Sequence, residues 1–474
     1  MPLQQKPNKI APDGGWGWII ILGSGLINLC TRAVEPSFGL LFGDTLKELG
    51  VATTGAAFIM SARDATNNFS GFLMGPLLKN YSYRKVGILG AILSSLGLIT
   101  AASATSMTHI LLTYSLVGGV GFGLSSTAVF VALNSYFVKR RGQAFGLAMA
   151  GTGLGFMLIP QVVSRLLNEY GFHGTMMIMG ALGLNAVVGS CLLQPVKWHL
   201  KTVIVEEEEE LVHERKQGEI KANHLHKSHS SINDDAEASL RLSIENEINK
   251  ETTNKSKSSN DGCWQKLVSI MDLDLLLDLS FLNTLFGLSM AYLAEINFKL
   301  VIPFFMANLG YTKADTAQAL SLMAVSDISA RLLIPPIFDK LPFTRRSTLA
   351  VGLVFVMIAR SVLAEQTSWR NLIITILIHG FFRGFALINF PLVISESVVR
   401  EKLASAYGLF MVSKGIFVVF LGPLAGWIRD FTGSFSICLH AQSVMLLICI
   451  VSWSVEYLLS SKTKLKKAQS TEPS

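Results

Sequence analysis

Inside an otherwise apolar stretch, LMAVSDISARLLIPPIF, an arginine follows an aspartate by four residues: Asp327 and Arg331. Each charge costs roughly 2.5–3.5 kcal/mol at a bilayer midplane on insertion scales, so a segment carrying both must recover that cost by pairing or by facing water. At a spacing of i, i+4 the two share a helix face and can touch. A guanidinium fork beside an ionisable carboxylate, held at membrane depth, suits a site that takes an organic anion, with or without a proton, from one side to the other. The alternative is an ion pair that locks two helices together.

A second constellation lies in FIMSARDATNNFSGF, which places Arg63, Asp64, Asn67 and Asn68 at the centre of a membrane-length segment. Arg63 and Asn67 share one face, as do Asp64 and Asn68, so a polar stripe turns away from lipid and either lines a pathway or bridges helices. The expected substrate site combines Arg331 and Asp327 with Arg63 and Asn67, and Asp327 is the proton-coupling candidate. Asn28, Glu295, Lys299, His379, Arg383, Glu396 and Lys414 are further polar residues in or near apolar segments, several of them close enough to an end to snorkel. His224, His226 and His229 sit in a polar tract without cysteine, where a solvated linker is the better reading than a metal site. No metal or other cofactor is expected. No nucleophile, base and orienting group occur together, so the chain does not read as an enzyme.

These residues need an apolar scaffold, and the composition supplies one: 50% of the 474 residues are hydrophobic, 15% are charged and the mean hydropathy is +0.45. Stretches of about 20 apolar residues recur, each long enough to cross a core of about 30 Å. Backbone groups in lipid must be satisfied within the segment, so the fold class is an all-α membrane protein. The spacing predicts twelve helices, over 17–42, 54–78, 85–105, 109–137, 143–167 and 174–194, then 275–306, 313–338, 347–364, 370–395, 403–428 and 434–459. The chain divides into an N-terminus (1–16), a six-helix bundle (17–194), a linker (195–265), a second six-helix bundle (266–460) and a basic tail (461–474). Residues 200–262, with five consecutive glutamates from Glu206 to Glu210 and few large apolar side chains, cannot bury enough surface to fold alone.

The net charge of +7 is not a nucleic-acid surface. Lys79, Arg84 and Lys85, then Lys139, Arg140 and Arg141, then Lys340, Arg345 and Arg346, and the lysines of the tail all fall on one side of the predicted membrane. The opposite loops are nearly bare. The positive-inside rule places both termini and the linker in the cytoplasm of a multi-pass protein, and no organelle address is legible, which leaves the plasma membrane as the default. The five cysteines lack paired spacing and read as packing residues. The first apolar run follows a Pro-Asp-Gly-Gly turn and has no cleavage pattern, so it is not a removable signal. Sequons at Asn68, Asn80 and Asn254 fall in a span, a cytoplasmic turn and the linker, where none is expected to carry sugar.

Six helices, a cytoplasmic linker and six more is the layout of transporters built from two bundles related by an axis along the membrane normal. The halves echo each other: GPLLKNYSYRK at 75–85 follows the second span, and PPIFDKLPFTRR at 335–346 follows the eighth. Both resemble the cytoplasmic gating loop of the major facilitator superfamily. That resemblance makes Arg84, Asp339 and Arg345 gate residues, with Lys79 standing where an aspartate is usual. Small residues crowd GGVGFG at 118–123 and GTGLG at 151–155, which suits close helix approach rather than a phosphate loop.

Two further stretches, DGGWGW at 13–18 and YFVKRRGQAFGLAMAGTGLG at 136–155, resemble the two signatures of the monocarboxylate transporter family. A block from Lys402 to Leu409, continuing through Gly422 and Pro423 to Asp430, Thr432 and Gly433, is similar to that family's tenth loop and eleventh span. Asp13, Gly14, Gly15, Trp16, Gly151 and Gly155 are the motif positions; Trp16 and Trp18 also suit plain interfacial anchoring. The resemblance implies that Lys139, Arg140 and Arg141 help close the inner mouth, and that Asp327 and Arg331 bind proton and carboxylate. A planar fork meets a carboxylate bidentately. It also implies a lysine in the first span near the substrate, where this chain has Pro36 beside Glu35. Arg63 is the candidate replacement cation. Two transport readings stay open: a carrier of small monocarboxylates or related organic acids, proton-coupled or not, and a proton-independent carrier of amino acids or other zwitterionic or aromatic solutes. A third is a non-transporting receptor or scaffold. Members of the family sometimes travel with a single-span immunoglobulin-type glycoprotein, which makes such a companion an expectation, and the placement of the basic residues argues against a nucleic-acid partner.

Overall fold

The computed structural model describes residues 7–32, 35–49, 53–204, 271–341 and 343–469. The glutamate run, the three linker histidines, Asn254 and Cys263 lie outside the described residues. Two units are distinguished. One contains an antiparallel strand pair, β1 (Pro7–Ile10) with β2 (Lys201–Ile204), registered with Pro7 opposite Ile204 and Ile10 opposite Lys201. The predicted N-terminus and the first residues of the predicted linker thus carry strand structure. The other unit is a helical body running from Ala11 to His199 and from Met271 onward.

Twelve spans make up this body among the described residues, and nine helical segments are long and apolar enough to cross a membrane by length and composition. One of the nine, Arg141–Leu192, contains spans five and six. It turns at Gly171, whose φ of 63° is a left-handed value that a side chain would strain. Span one is broken where continuity was expected: a helix over Trp16–Arg32, a 3-10 turn at Glu35–Ser37 and a second helix over Phe38–Glu48. Pro36 falls in that turn, and with no backbone N–H it cannot continue the ladder. Span two is likewise in two pieces, Thr53–Phe69 and Gly71–Asn80. Span three is Tyr83–Ala101, and span four runs from Met107 to Tyr136 through a π-helical stretch at Leu111–Val117.

In the second half, span seven is Leu279–Asn308 and span eight Lys313–Leu333, opened by a Thr312/Asp315 capping box that satisfies two orphan donors reciprocally. Pro335 begins a separate short turn, Pro335–Phe338. Spans nine and ten are Arg345–Ala364 and Trp369–Ser397; span eleven is Leu403–Leu421 with Leu424–Thr432. Span twelve extends over Phe435–Gln469, so the helix continues through most of the segment expected to be a separate basic tail.

The core is joined at one end and parted at the other. The end bearing the Lys- and Arg-rich loops, here the basic end, holds one continuous cluster that includes Tyr136, Phe137 and Leu193 from the first bundle and Leu349, Ile394 and Leu403 from the second. Toward the opposite end each bundle has its own core: Phe38, Phe42, Leu98 and Met176 in one, Phe298, Phe305, Leu363 and Leu372 in the other. Apolar side chains such as Leu22, Leu112, Val188, Ile358 and Val451 remain exposed, as a lipid-facing surface requires.

Small residues let the bundles meet. A Cβ on Gly71 would lie 2.3 Å from the Gly408 carbonyl oxygen, and one on Gly146 would lie 2.3 Å from that of Arg331. Such backbone proximity is the use expected of small residues in membrane helices. Gly151 plays the same part within the first bundle, against Gly25. Gly71→Leu is expected to part the seam between spans two and eleven. A single cysteine at Met74, 0% exposed here, should then react with maleimide in that variant and stay protected in the parent; equal protection in both would contradict the seam.

Candidate functional site

The second bundle carries a buried chain of charges contributed by four spans. Asp327 accepts from Arg331 through both carboxylate oxygens, from Nε at 2.6 Å and from a terminal nitrogen at 3.3 Å. Arg383 of span ten donates to the same carboxylate at 2.9 Å and, through its Nε, to Glu295 of span seven. Arg360 of span nine donates to Glu295 at 3.3 Å and to the Ala294 carbonyl at 3.0 Å. Arg360 also lies 3.4 Å from His379 Nε2, which must accept because a guanidinium only donates. Phe298 packs 4.5 Å from the Arg360 guanidinium and 4.2 Å from the His379 ring. None of the six polar residues is more than 8% exposed.

The formal count is three guanidiniums, Arg331, Arg360 and Arg383, against two carboxylates, Glu295 and Asp327, an excess of one positive charge. Gathering charges this way offsets the desolvation that an isolated ion would suffer in the bundle interior. The i, i+4 spacing of Asp327 and Arg331 does bring them together. Glu295, His379 and Arg383, considered for span ends, are instead interior members of the same network. Arg360 has no counterpart among the expectations from sequence: it falls four residues from the end of span nine, where a snorkelling arginine is commonplace, yet it is 0% exposed.

The first bundle supplies the polar stripe. Arg63, Asn67 and Asn68 are buried and Asp64 is half-buried. Arg63 donates to the Tyr114 hydroxyl at 2.9 Å and to the Thr31 carbonyl at 3.4 Å, with its guanidinium 4.7 Å from the Tyr114 ring. Tyr114 belongs to the π-helical stretch of span four, a local distortion that recurs at functional sites. The side-chain oxygen of Asn67 and both polar atoms of Asn68 are buried without a partner among the described residues. Arg63 is therefore committed to its own bundle, and it does not contact Arg331.

The expected gate residues converge on the basic end, largely through backbone. Asp339 accepts from the backbone N–H groups of Gly142 at 3.1 Å and Gln143 at 2.9 Å, at the N-terminus of span five, where the helix dipole favours an anion. Arg345 holds the same carboxylate at 2.7 Å. Asp13 accepts from the backbone N–H groups of Val138 at 2.8 Å and Lys139 at 2.9 Å, so the two signature stretches touch. Lys139 and Arg140 extend their side chains to solvent, while Arg141 folds back onto the Phe137 carbonyl at 2.9 Å. Arg84 is half-buried and makes no ion pair among the described residues. Lys79, in place of the usual acid, pairs with Asp272 at 2.8 Å, a tie between bundles of reversed polarity.

In the signature before span one, Gly14 and Gly15 form the turn, with Gly15 at φ 57°. Trp16 stacks on His199 with ring centroids 5.1 Å apart, and Trp18 is 43% exposed, as an interfacial anchor would be. Gly155 is buried in span five. Among the described residues no group of histidine, cysteine or acidic side chains has metal-ligand geometry, and Cys30, Cys191 and Cys449 are free thiols.

Two six-helix bundles meeting around buried charges define a membrane transporter, and the chain belongs to the Major Facilitator Superfamily, which it matches over residues 21–264 and 284–473. It is a secondary transporter, not an enzyme. Within the superfamily it is related to the monocarboxylate transporters. It is 26% identical over 441 residues to monocarboxylate transporter 12-B of Danio rerio, covering 91% of this chain and 85% of that one. To monocarboxylate transporter 2 of Mus musculus it is 24% identical over 477 residues, covering 99% and 90%. Among solved structures, the proton:xylose symporter XylE bound to 6-bromo-6-deoxy-D-glucose superposes with a TM-score of 0.62 at 14% identity, covering 92% of this chain and 94% of that one. The human organic anion transporter MFSD10 (TETRAN) gives 0.60 at 15% identity, covering 92% and 98%. At that identity the two structures speak for the fold.

Arg383 bridges both carboxylates of the network, so Arg383→Leu leaves each with one cation fewer. Breaking a buried ion pair in this way costs roughly 3–5 kcal/mol. The purified variant is expected to unfold at a clearly lower temperature than the parent. Arg429→Ala, which removes an exposed partner of Asp430, should change stability by no more than about 1 kcal/mol. Equal midpoints for the two variants would contradict the network.

Proposed function

We propose that the chain carries small monocarboxylates or closely related organic acids across the plasma membrane by alternating access, coupled to a proton through Asp327. The observation that carries this reading is the bidentate closure of Arg331 on Asp327 with Arg383 on the same carboxylate. A proton on Asp327 cancels its charge and frees the Arg331 fork, raising the network from one excess positive charge to two. A substrate carboxylate on Arg331 returns it to one. The stoichiometry is one proton per monocarboxylate, and Arg63 with Asn67 forms the facing wall from the first bundle. The names of the relatives support this substrate class.

The basic end lies in the cytoplasm in this proposal, with both termini and the linker, and the joined core there corresponds to an inner gate that is shut. The rule that basic loops stay inside supports the orientation. The linker from about residue 195 and the basic C-terminal segment are regions outside the two bundles' transport machinery. A single-span immunoglobulin-type glycoprotein is the proposed companion, supported by the family resemblance and by the burial of Asn68, which leaves its sequon out of reach of glycosylation.

A second reading is favoured by Glu35 and Asp64, which form no ion pair among the described residues. Such acids would receive the ammonium of a zwitterion, without a proton. Uptake of labelled pyruvate separates the two. Stepping external pH from neutral to mildly acidic should stimulate uptake by the parent, Arg331→Ala should reduce it at least tenfold at equal surface density, and Asp327→Asn should lose the pH response. Undiminished uptake by Arg331→Ala would remove Arg331 and Asp327 from the carboxylate site, and a pH-independent parent would favour the second reading.

A further inference from the structure

Around the meeting plane of the bundles stands a set of cations and hydroxyl donors set among aromatic rings. Lys414 of span eleven is 8% exposed, and its ammonium sits 4.4 Å from the Tyr292 ring and 4.8 Å from that of Phe410. It makes no hydrogen bond or ion pair among the described residues. Arg32, at the end of the first helix of span one, faces the Phe122 ring at 4.9 Å, and its Nε is buried without a partner. The two cations stand within electrostatic reach of each other, with Asp64 also in reach of Lys414. The hydroxyls of Tyr292 and Tyr407 make no hydrogen bond among the described residues either, and both tyrosines are within electrostatic reach of Arg32.

Each of these features has a bland explanation alone, but together they do not. Like charges within reach of one another in a low-dielectric interior repel, and the buried Nε of Arg32, left without a partner, costs the desolvation of that group. Stacking on an aromatic face recovers only part of that. Asp64 and Glu35 are the acids of this region, and neither forms an ion pair with the two cations among the described residues. Cations from both bundles set among aromatic rings suit an anion whose oxygens accept from both sides.

We infer that Arg32 and Lys414 clamp the substrate carboxylate between the two bundles, with the Tyr292 and Tyr407 hydroxyls as further donors and an aromatic or apolar body packed on the surrounding rings. This deepens the carboxylate reading and rests on it. Arg32 belongs to the first bundle and Lys414 to the second, so a bound carboxylate replaces repulsion across the plane by two attractions. Substrate binding thereby favours approach of the bundles. The second cation, expected at Arg63, is supplied by this pair, because Arg63 is occupied by Tyr114.

The test uses purified full-length protein in nanodiscs, with benzoate as the probe and benzamide as its uncharged isostere, read as the shift in unfolding midpoint. Benzoate is expected to raise the midpoint of the parent and benzamide to leave it unchanged. Arg32→Gln and Lys414→Gln should each weaken benzoate at least about tenfold, the size expected for a hydrogen bond to a charged group. Lys414→Arg should recover part of the affinity. Without ligand, each Gln variant should unfold no lower than the parent, since one of two repelling charges has gone. Midpoints that fall in both ligand-free variants would assign the cations a structural role and overturn the clamp. So would a benzoate shift that persists in the double variant, or one matched by benzamide. Failure of the wider reading has a separate signature: benzoate binding that needs Lys414, alongside pyruvate uptake untouched by Arg331→Ala, keeps the clamp and removes the Asp327 mechanism.

Discussion

Three guanidiniums share two carboxylates inside the second bundle, and that imbalance constrains everything around it. At low dielectric the charges cannot be left singly, so four spans must hold their side chains in fixed register: Glu295 on seven, Asp327 and Arg331 on eight, Arg360 on nine, and Arg383 with His379 on ten. Burial of ion pairs contributes little net stability by itself, and replacing such a set with well-packed apolar residues is often neutral or better. Its retention makes sense if the excess charge is used. A site that is one anion short of neutrality accepts an anion and resists being left empty.

Alternation between two open forms needs an interface that can part without leaving unsatisfied backbone in lipid. The basic end meets this need with helix termini and glycines. Asp339 caps span five across the seam, and Gly71 against Gly408 and Gly146 against Arg331 bring backbones into direct contact. The Gly146 contact falls on the carbonyl of the same residue whose side chain grips Asp327. In the proposed mechanism, movement at the gate and release of Arg331 would act on one segment of span eight, a short mechanical route between the proposed substrate site and the inner closure.

Much of this was legible in the residues. Hydropathy and loop charge located the spans, because lipid imposes a uniform length and a uniform polarity on every crossing. The Asp327–Arg331 pair was legible for the same reason a helix makes any i, i+4 pair legible. Three features were not. The partnership of β1 with β2 joins two four-residue runs separated by nearly the whole first bundle, a contact with no local pattern. Arg360 looks like a span-end arginine because its depth depends on how span nine is seated, not on its sequence position. Glu35 and Pro36 marked a departure from the family, but the cations proposed to replace its lysine could not be found from spacing within one helix, since Arg32 and Lys414 come from opposite halves of the chain.

The most direct test of the central claim is the ratio of protons to carboxylate moved by the full-length protein in proteoliposomes carrying an internal pH dye, with labelled pyruvate added outside. An Asp327 that surrenders Arg331 on protonation predicts about one proton entering per pyruvate, and pyruvate movement without acidification in Asp327→Asn. Pyruvate uptake with no internal acidification in the parent, or acidification that survives in Asp327→Asn, would contradict it.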